Sequence, residues 1–114
     1  MHEFSLASNI LERALAIAHE HGDKPIRRVT LEIGALQEVA VEALLFAFDA
    51  SKTDTLAQNA QLEWMEIPAR VECEHCGRLY EPEGPIWVCP ACQGHGGTAL
   101  QGDEFLIASL ELED

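Results

Sequence analysis

The chain has 114 residues, enough for one hydrophobic core and a small metal-stapled module but not for two full domains. Its 20 acidic and 7 basic residues give a formal net charge of −13, which disfavours nucleic-acid phosphates and favours basic proteins or divalent cations as partners. No apolar run is long enough to cross a membrane, and the start lacks the pattern of a signal peptide. We therefore expect a cytoplasmic protein, a monomer or a weak homodimer, that binds neither nucleic acid nor membranes.

The first third of the chain shows the spacing of a helix followed by that of a strand. Apolar residues recur every three or four positions over residues 5–21, with Ser5 as the predicted N-cap. His19 and His21 fall in the last turn, where we expect solvated, capping roles. Residues 27–33 then alternate between apolar and polar side chains, which predicts a half-buried strand.

Three further elements follow along the chain. Residues 39–51 predict a second helix, and residues 61–67 predict a strand that Pro68 ends. Residues 104–112 alternate again, and the face that we expect to be buried carries Leu106, Ala108, Leu110 and Leu112. This last strand has no adequate partner in the cysteine-containing segment, so we pair it with the earlier strands. The predicted fold is α+β: a small sheet of about three strands with two helices on one face, plus an inserted four-cysteine zinc-ribbon module.

All four cysteines fall into two CxxC pairs, Cys73/Cys76 and Cys89/Cys92, with twelve residues between the pairs. Two residues between paired cysteines allow a tight turn to aim both sulfurs at one point. Two such turns supply the tetrahedral thiolate set that Zn²⁺ prefers in a closed structural site. The alternative is a pair of disulfides, which needs an oxidising compartment for which the chain gives no sign.

The N-terminus is a second candidate metal site, of a different chemistry. The amine of Met1, the backbone nitrogen of His2 and its Nδ1 atom can chelate one ion in a plane, an arrangement suited to Ni(II) or Cu(II). The amide nitrogen of Glu3 or an added ligand completes the square, and the Glu3 carboxylate lies beside the site. Any chain that begins Met-His offers these donors, so this signal alone is weak.

Several segments together carry a family resemblance. Residues 1–6 (MHEFSL), 33–36 (IGAL) and 42–48 (EALLFAF) are similar to the MHExSL, IGxL and ExLxFxF segments of the HypA/HybF family of hydrogenase nickel-insertion proteins. The two CxxC pairs and the closing strand at 110–112 are similar as well. Two departures are residues 54–60, which lack the glycines expected there, and Arg78, which stands where some members have a histidine.

The resemblance implies a non-enzymatic nickel metallochaperone with two unlike metal sites. Nickel, the transferred cargo, would bind at Met1, His2 and Glu3. A structural zinc would bind at Cys73, Cys76, Cys89 and Cys92. The implied domains are a nickel-binding domain, residues 1–69 with 98–114, and an inserted zinc-binding domain, residues 70–97.

The resemblance also implies protein partners, namely the nickel-handling GTPase HypB and the precursor of the [NiFe]-hydrogenase large subunit; some members also serve urease. Two alternatives remain open from the residues. One is a zinc-ribbon interaction scaffold without metal transfer, and the other is a thiol–disulfide oxidoreductase that uses CxxC chemistry.

Overall fold

The computed structural model describes residues 2–83 and 86–113, apart from the side chain of His2. Two three-stranded sheets are present, with strand orders β2–β1–β6 and β4–β3–β5. The predicted α+β fold, with two helices, a three-stranded sheet and a four-cysteine insertion, is confirmed. The helices and strands are α1 (His2–Glu20), β1 (Ile26–Gly34), a 3-10 turn (Ala35–Gln37), α2 (Val41–Ser51), β2 (Gln61–Ile67), β3 (Arg70–Cys73), β4 (Leu79–Tyr80), β5 (Gly97–Gln101) and β6 (Phe105–Leu112).

The chain separates into two compact units. The helical unit comprises Met1–Leu31, Val39–Met65 and Leu106–Asp114, and the cysteine unit comprises Glu32–Glu38 and Glu66–Phe105. Neither helix in the described part of the chain combines the length and the apolar content that crossing a bilayer requires.

Helix α1 begins earlier than the sequence suggested. It starts at His2, so Ser5 lies inside the helix and the prediction that Ser5 is the N-cap was wrong. The acidic Glu3 falls in the first turn, where the helix dipole favours a negative charge, and this makes the residues before Ser5 compatible with a helix.

The end of α1 follows the sequence. Gly22 takes a left-handed conformation (φ +92°), and the N–H of Asp23 donates to the carbonyl of Ala18 (2.9 Å). The ring of His21 bonds the carbonyl of Ile17 at 2.8 Å and remains exposed, so its predicted capping role is confirmed. The exposed ring of His19 contacts the Asp23 carboxylate.

The core of the helical unit forms where α1 and α2 pack against each other. Small side chains on α1 allow close approach to larger ones on α2. The buried residues of the two helices are Ala7, Ile10, Leu11, Ala14, Ala18, Leu44, Ala47 and Phe48. Strand β1 adds Ile26, Val29 and Leu31, as its alternation predicted.

The polar side of β1 carries cross-strand ion pairs. The guanidinium of Arg28 lies 3.0 Å from Glu63 on β2 and 3.4 Å from Glu111 on β6. These groups are about half exposed, so each pair contributes at most about 1 kcal/mol. The pairs reinforce the strand order β2–β1–β6 without being its main source of stability.

The predicted buried face of β6 was right for half of the strand. Leu110 and Leu112 are half-buried, but Leu106 is 42% exposed and Ala108 is exposed too. The alternation changes phase at Ala108 and Ser109, which are both exposed. Because the three residues that open the strand are all apolar, the sequence could not show which of them turn inward.

Two glycines let the polypeptide cross itself closely in the cysteine unit. The N–H of Gly34 donates to the carbonyl of Glu104 and that of Leu36 to the carbonyl of Gly102, each at 2.7 Å. A Cβ atom at Gly34 would overlap the carbonyl of Gly102, and one at Gly102 would lie 2.5 Å from the Cα of Ala69. Only glycine fits this crossing, and the 3-10 turn is thereby fixed against residues 102–104.

Candidate metal centre

The four cysteine sulfurs converge on one point. All four Sγ atoms lie within 4.8 Å of one another, with Cys73 to Cys92 at 3.6 Å and Cys76 to Cys89 at 3.7 Å. A tetrahedral zinc with Zn–S bonds of about 2.3 Å requires sulfurs about 3.8 Å apart, whereas a disulfide requires about 2.05 Å. Both close pairs join one CxxC turn to the other. The donor set therefore fits a four-thiolate zinc site better than disulfide chemistry.

The two CxxC turns, hereafter knuckle 1 (residues 73–78) and knuckle 2 (residues 89–94), have the same backbone hydrogen bonds. In each, the first cysteine accepts a bond from the N–H four positions later, at 3.0 Å in knuckle 1 and 2.8 Å in knuckle 2. Its own N–H donates to the carbonyl five positions later, at 2.9 Å and 3.0 Å. The donor residues, Gly77 (φ +76°) and Gln93 (φ +60°), are both left-handed, and sequence reasoning missed the conformation of Gln93.

Backbone N–H groups also point at the sulfurs. The N–H of His75 donates to Cys73 Sγ, and that of Gly94 donates to Cys92 Sγ, each at 3.4 Å. Donors of this kind stabilise a thiolate over a thiol. The N–H groups of Cys76 and His75 accordingly lower the pKa of Cys73.

The pKa values of the two thiols in knuckle 2 are shifted in opposite directions. The N–H of Cys92 is the main cause that lowers the pKa of Cys89 to about 7, against the effect of burial. The N–H of Gly94 lowers the pKa of Cys92, but the neighbouring thiols and burial outweigh it and raise that pKa to about 11. Four sulfurs this close share their protons because adjacent thiolates repel each other. A divalent cation removes that conflict, and its binding releases the protons.

A small apolar cluster supports the sulfurs from one side. Cys73 and Cys89 are buried with Val71 and Tyr80, and Trp87 packs against this cluster. Burial, followed by the charges of nearby cysteines, raises the pKa of Tyr80, so its hydroxyl stays protonated and lies 3.5 Å from the carbonyl of Gly96. Tyr80 and Trp87 lie inside the spacer, near its two ends, and were the sequence signal for this apolar support.

Side chains of knuckle 1 lie over the exit of knuckle 2. A Cβ at Gly94 would press on the ring of His75, and one at Gly96 would lie 2.8 Å from a carboxylate oxygen of Glu74. The His75 side chain is 57% exposed with Nε2 3.6 Å from Glu74, and His95 is exposed.

The predicted nickel ligands are only partly described. Met1 lies outside the described residues, as does the side chain of His2. Glu3 is half-buried, and its carboxylate accepts a hydrogen bond from the N–H of Ala40 at 3.4 Å. Ala40 is the N-cap of α2 and has no side-chain cap of its own, so Glu3 supplies a negative group at the start of that helix. The nickel-ligand set stays a prediction.

Sequence comparison places the chain among proteins of known function. A family model described as "Hydrogenase/urease nickel incorporation, metallochaperone, hypA" matches residues 1–112. The hydrogenase maturation factor HypA of Dehalococcoides mccartyi strain 195 is 36% identical over 114 residues, 100% of this chain and 96% of that protein. HypA of Chlorobium limicola is 38% identical over 114 residues, 100% of this chain and 98% of that protein.

Solved structures agree with this assignment. One described as "Solution structure of HypA protein" has a TM-score of 0.73 and 25% identity, covering 99% of this chain and 97% of the other. The nickel metallochaperone HypA from Helicobacter pylori has a TM-score of 0.70 and 24% identity, covers 96% of both chains, and shows that the fold is shared. Because the family model and the relatives cover essentially the whole sequence, this chain belongs to the HypA family of hydrogenase and urease nickel-incorporation metallochaperones.

Proposed function

We propose that this metallochaperone carries Ni(II) on its N-terminal Met1, His2 and Glu3, holds a structural zinc on its four cysteines, and delivers nickel for the maturation of [NiFe]-hydrogenase. The observation that carries the proposal is the presence, in a chain of this family, of two chemically different donor sets. Four sulfurs are gathered within 4.8 Å, and Met1 is followed directly by His2, which supplies nitrogen donors of a different chemistry.

Zinc would be held by Cys73, Cys76, Cys89 and Cys92, with a purely structural role. Four thiolates complete the tetrahedral set and leave no position for water or a substrate. The 3.6 and 3.7 Å separations between sulfurs and the burial of two of the four cysteines support a closed, permanent site.

Nickel would be held at the N-terminus as a removable cargo. The N–H groups in the first turn of a helix have no partner within that helix, so the amides of His2 and Glu3 at the start of α1 are free of intrahelical hydrogen bonds. An amine, an amide and an imidazole can be attached or released one at a time, which suits transfer. These ligands must lose protons to bind, so the affinity for nickel should fall as the pH decreases.

The remaining expectations rest on the family resemblance. The handover would involve the GTPase HypB and the precursor of the hydrogenase large subunit in the cytoplasm. α1 and the terminus are the candidate contact surfaces. Residues 1–69 with 98–114 would form the nickel-binding domain, and residues 70–97 would form the zinc-binding domain. The net charge of −13 would attract Ni²⁺ and basic protein surfaces.

A nickel titration of the zinc-loaded protein, with any purification tag at the C-terminus, tests the N-terminal site. His2→Ala should weaken nickel binding by at least about 100-fold, because it removes the imidazole and breaks the fused chelate ring. His19→Ala removes an exposed histidine of the same helix and is the matched control.

Calorimetry gives the nickel affinity, and metal analysis checks that one zinc remains bound. The N-terminal site is refuted if His2→Ala binds nickel as tightly as the parent protein. A scaffold without metal transfer predicts the same zinc content but no nickel binding in either protein. Cys89→Ala should lose zinc and keep the nickel ligands.

A further inference from the structure

Two concave surfaces of the cysteine unit adjoin each other, because Glu83 lines both. The first, hereafter the Glu38–Trp87 pocket, has a volume of about 480 Å³ and is lined by Glu38, Glu83 and Trp87, with apolar walls from Leu36, Ala69 and Pro82. The second, of about 360 Å³, is lined by Glu81, Glu83, Ile86, Val88 and Pro90. Volumes in this range suit one or a few side chains of a ligand. Among the described residues that line these pockets there is no cysteine and no proposed metal ligand.

Two sides of the Glu38–Trp87 pocket are held in place by contacts within the cysteine unit. Trp87 packs against the buried cluster beside the sulfurs, and its carbonyl accepts a bond from the N–H of Gly96 at 3.1 Å. On the other side, the 3-10 turn is held by the bond from Leu36 to the carbonyl of Gly102, and the Gln37 amide donates to the carbonyl of Asp103. Walls that are already held in place reduce the ordering cost of binding.

The residues that line the pocket favour a ligand group that is both positively charged and planar. Glu38 and Glu83 are exposed carboxylates, and the described part of the pocket lining contains no basic residue. An indole beside carboxylates suits a guanidinium, which stacks on the aromatic face and donates two parallel hydrogen bonds to a carboxylate. A lysine ammonium is a point charge and cannot make both contacts. The charge of −13 on the chain reinforces the attraction for a basic segment.

The adjoining pocket extends the same surface with apolar contacts. Ile86 and Val88 are 69% and 44% exposed, so they offer an apolar surface beside the carboxylates. We propose that the Glu38–Trp87 pocket binds an arginine side chain from a basic segment of a partner protein, and that the adjoining pocket receives an apolar neighbour of that arginine. This inference goes beyond nickel carriage, since none of these residues belongs to the proposed nickel or zinc ligands.

Peptide binding to the zinc-loaded full chain tests the proposal. In a Trp64→Phe background Trp87 is the sole tryptophan, so its fluorescence reports on the pocket. The probe is acetyl-Gly-Leu-Arg-Gly-amide, with lysine and citrulline versions as controls; citrulline keeps the shape of arginine and removes its charge. We expect saturable, salt-sensitive binding of the arginine peptide, weaker binding of the lysine peptide, and no saturation by the citrulline peptide.

Charge-removing variants locate the binding. Glu83→Gln and Glu38→Gln should each weaken the arginine peptide about threefold to fivefold, as expected for a partly exposed ion pair. Glu12→Gln removes an exposed carboxylate from α1 with the same change in net charge, and it should leave the affinity unchanged. Zinc content and thermal unfolding confirm that every variant is folded.

Three results would overturn the proposal. The first is a citrulline peptide that matches the arginine peptide in affinity, which would show that charge plays no part. The second is a Glu12→Gln variant that weakens binding as much as Glu83→Gln, which would show that the peptide does not bind at this pocket. A dimer in sedimentation that Glu83→Gln dissociates would assign this surface to a second copy of the chain instead of a partner.

Discussion

Knuckle 1 and knuckle 2 share one backbone but carry different side chains. The same two hydrogen bonds close each turn, and the residue after the second cysteine is left-handed in both. Knuckle 1 has Glu74 and His75 between its cysteines, whereas knuckle 2 has Pro90 and Ala91 there and a glycine-rich exit. The exit glycines leave room for the side chains of knuckle 1. The comparison teaches that the shared backbone hydrogen bonds orient the sulfurs in both knuckles. The side chains of knuckle 1 determine how large the residues at the exit of knuckle 2 can be.

Replacing one buried sulfur in each knuckle gives the largest expected effect. Cys73 and Cys89 are the buried first cysteines of the two knuckles. If the knuckles are equivalent, Cys73→Ser and Cys89→Ser should each weaken zinc binding by about 3 kcal/mol, which is roughly two orders of magnitude in affinity. This is about a quarter of the binding free energy of a typical structural zinc site, because each variant removes one of four ligands. Competition with a chelator measures both affinities. Affinities that differ by more than about tenfold would show that the shared hydrogen bonds do not make the two turns equivalent.

A smaller effect is expected at the left-handed residue of knuckle 1. A Cβ added at Gly77 would meet no atom within 4 Å, so Gly77→Ala tests the backbone conformation alone. We expect a loss of about 1–2 kcal/mol in the free energy of unfolding of the zinc-loaded protein, because φ is +76° there. Urea unfolding followed by Trp87 fluorescence in a Trp64→Phe background measures it. Arg78→Ala, at the next position, is the control, and an equal loss in both variants would argue against a conformational cause.

The sequence predicted the elements whose side-chain period is unambiguous. The bounds of β2 match the prediction at both ends, since Pro68 ends the strand, and the buried alternation of β1 is as expected. The predicted buried face of β6 was right for half of the strand, because a run of apolar residues does not show which of them face inward. The predicted start of α1 at Ser5 was wrong, since a good N-cap residue also tolerates a position inside a helix.

The sequence predicted which cysteines form the candidate site but not the contacts that surround them. The spacing of the four cysteines fixed which sulfurs meet. It did not reveal the left-handed Gln93, the support from Trp87, or the bond between Glu3 and the N–H of Ala40, because these depend on contacts between distant residues. The nickel ligands and the domain bounds stay predictions.

The close approach of the two knuckles can be tested by adding a methyl group between them. Gly94→Ala would place a methyl group against the His75 ring and 3.2 Å from Cys92 Sγ. We expect a loss of about 1 kcal/mol in the free energy of unfolding, limited because the exposed ring can move aside. His75→Ala in the same chain should recover most of that loss in a double-mutant cycle. Additive losses in the cycle would mean that the two residues do not share this space.

The smallest expected effect is a gain at the left-handed residue of knuckle 2. Gln93 has φ +60°, a conformation that costs a side-chain-bearing residue about 1–2 kcal/mol, whereas glycine adopts it freely. The greater entropy of glycine in the unfolded chain offsets part of the relief, so Gln93→Gly should stabilise the zinc-loaded protein by about 0.5–1 kcal/mol. Urea unfolding detected through Trp87 measures the gain. Ala91→Gly, in the same knuckle and without a positive φ, should be destabilising instead, and a gain there would refute the explanation.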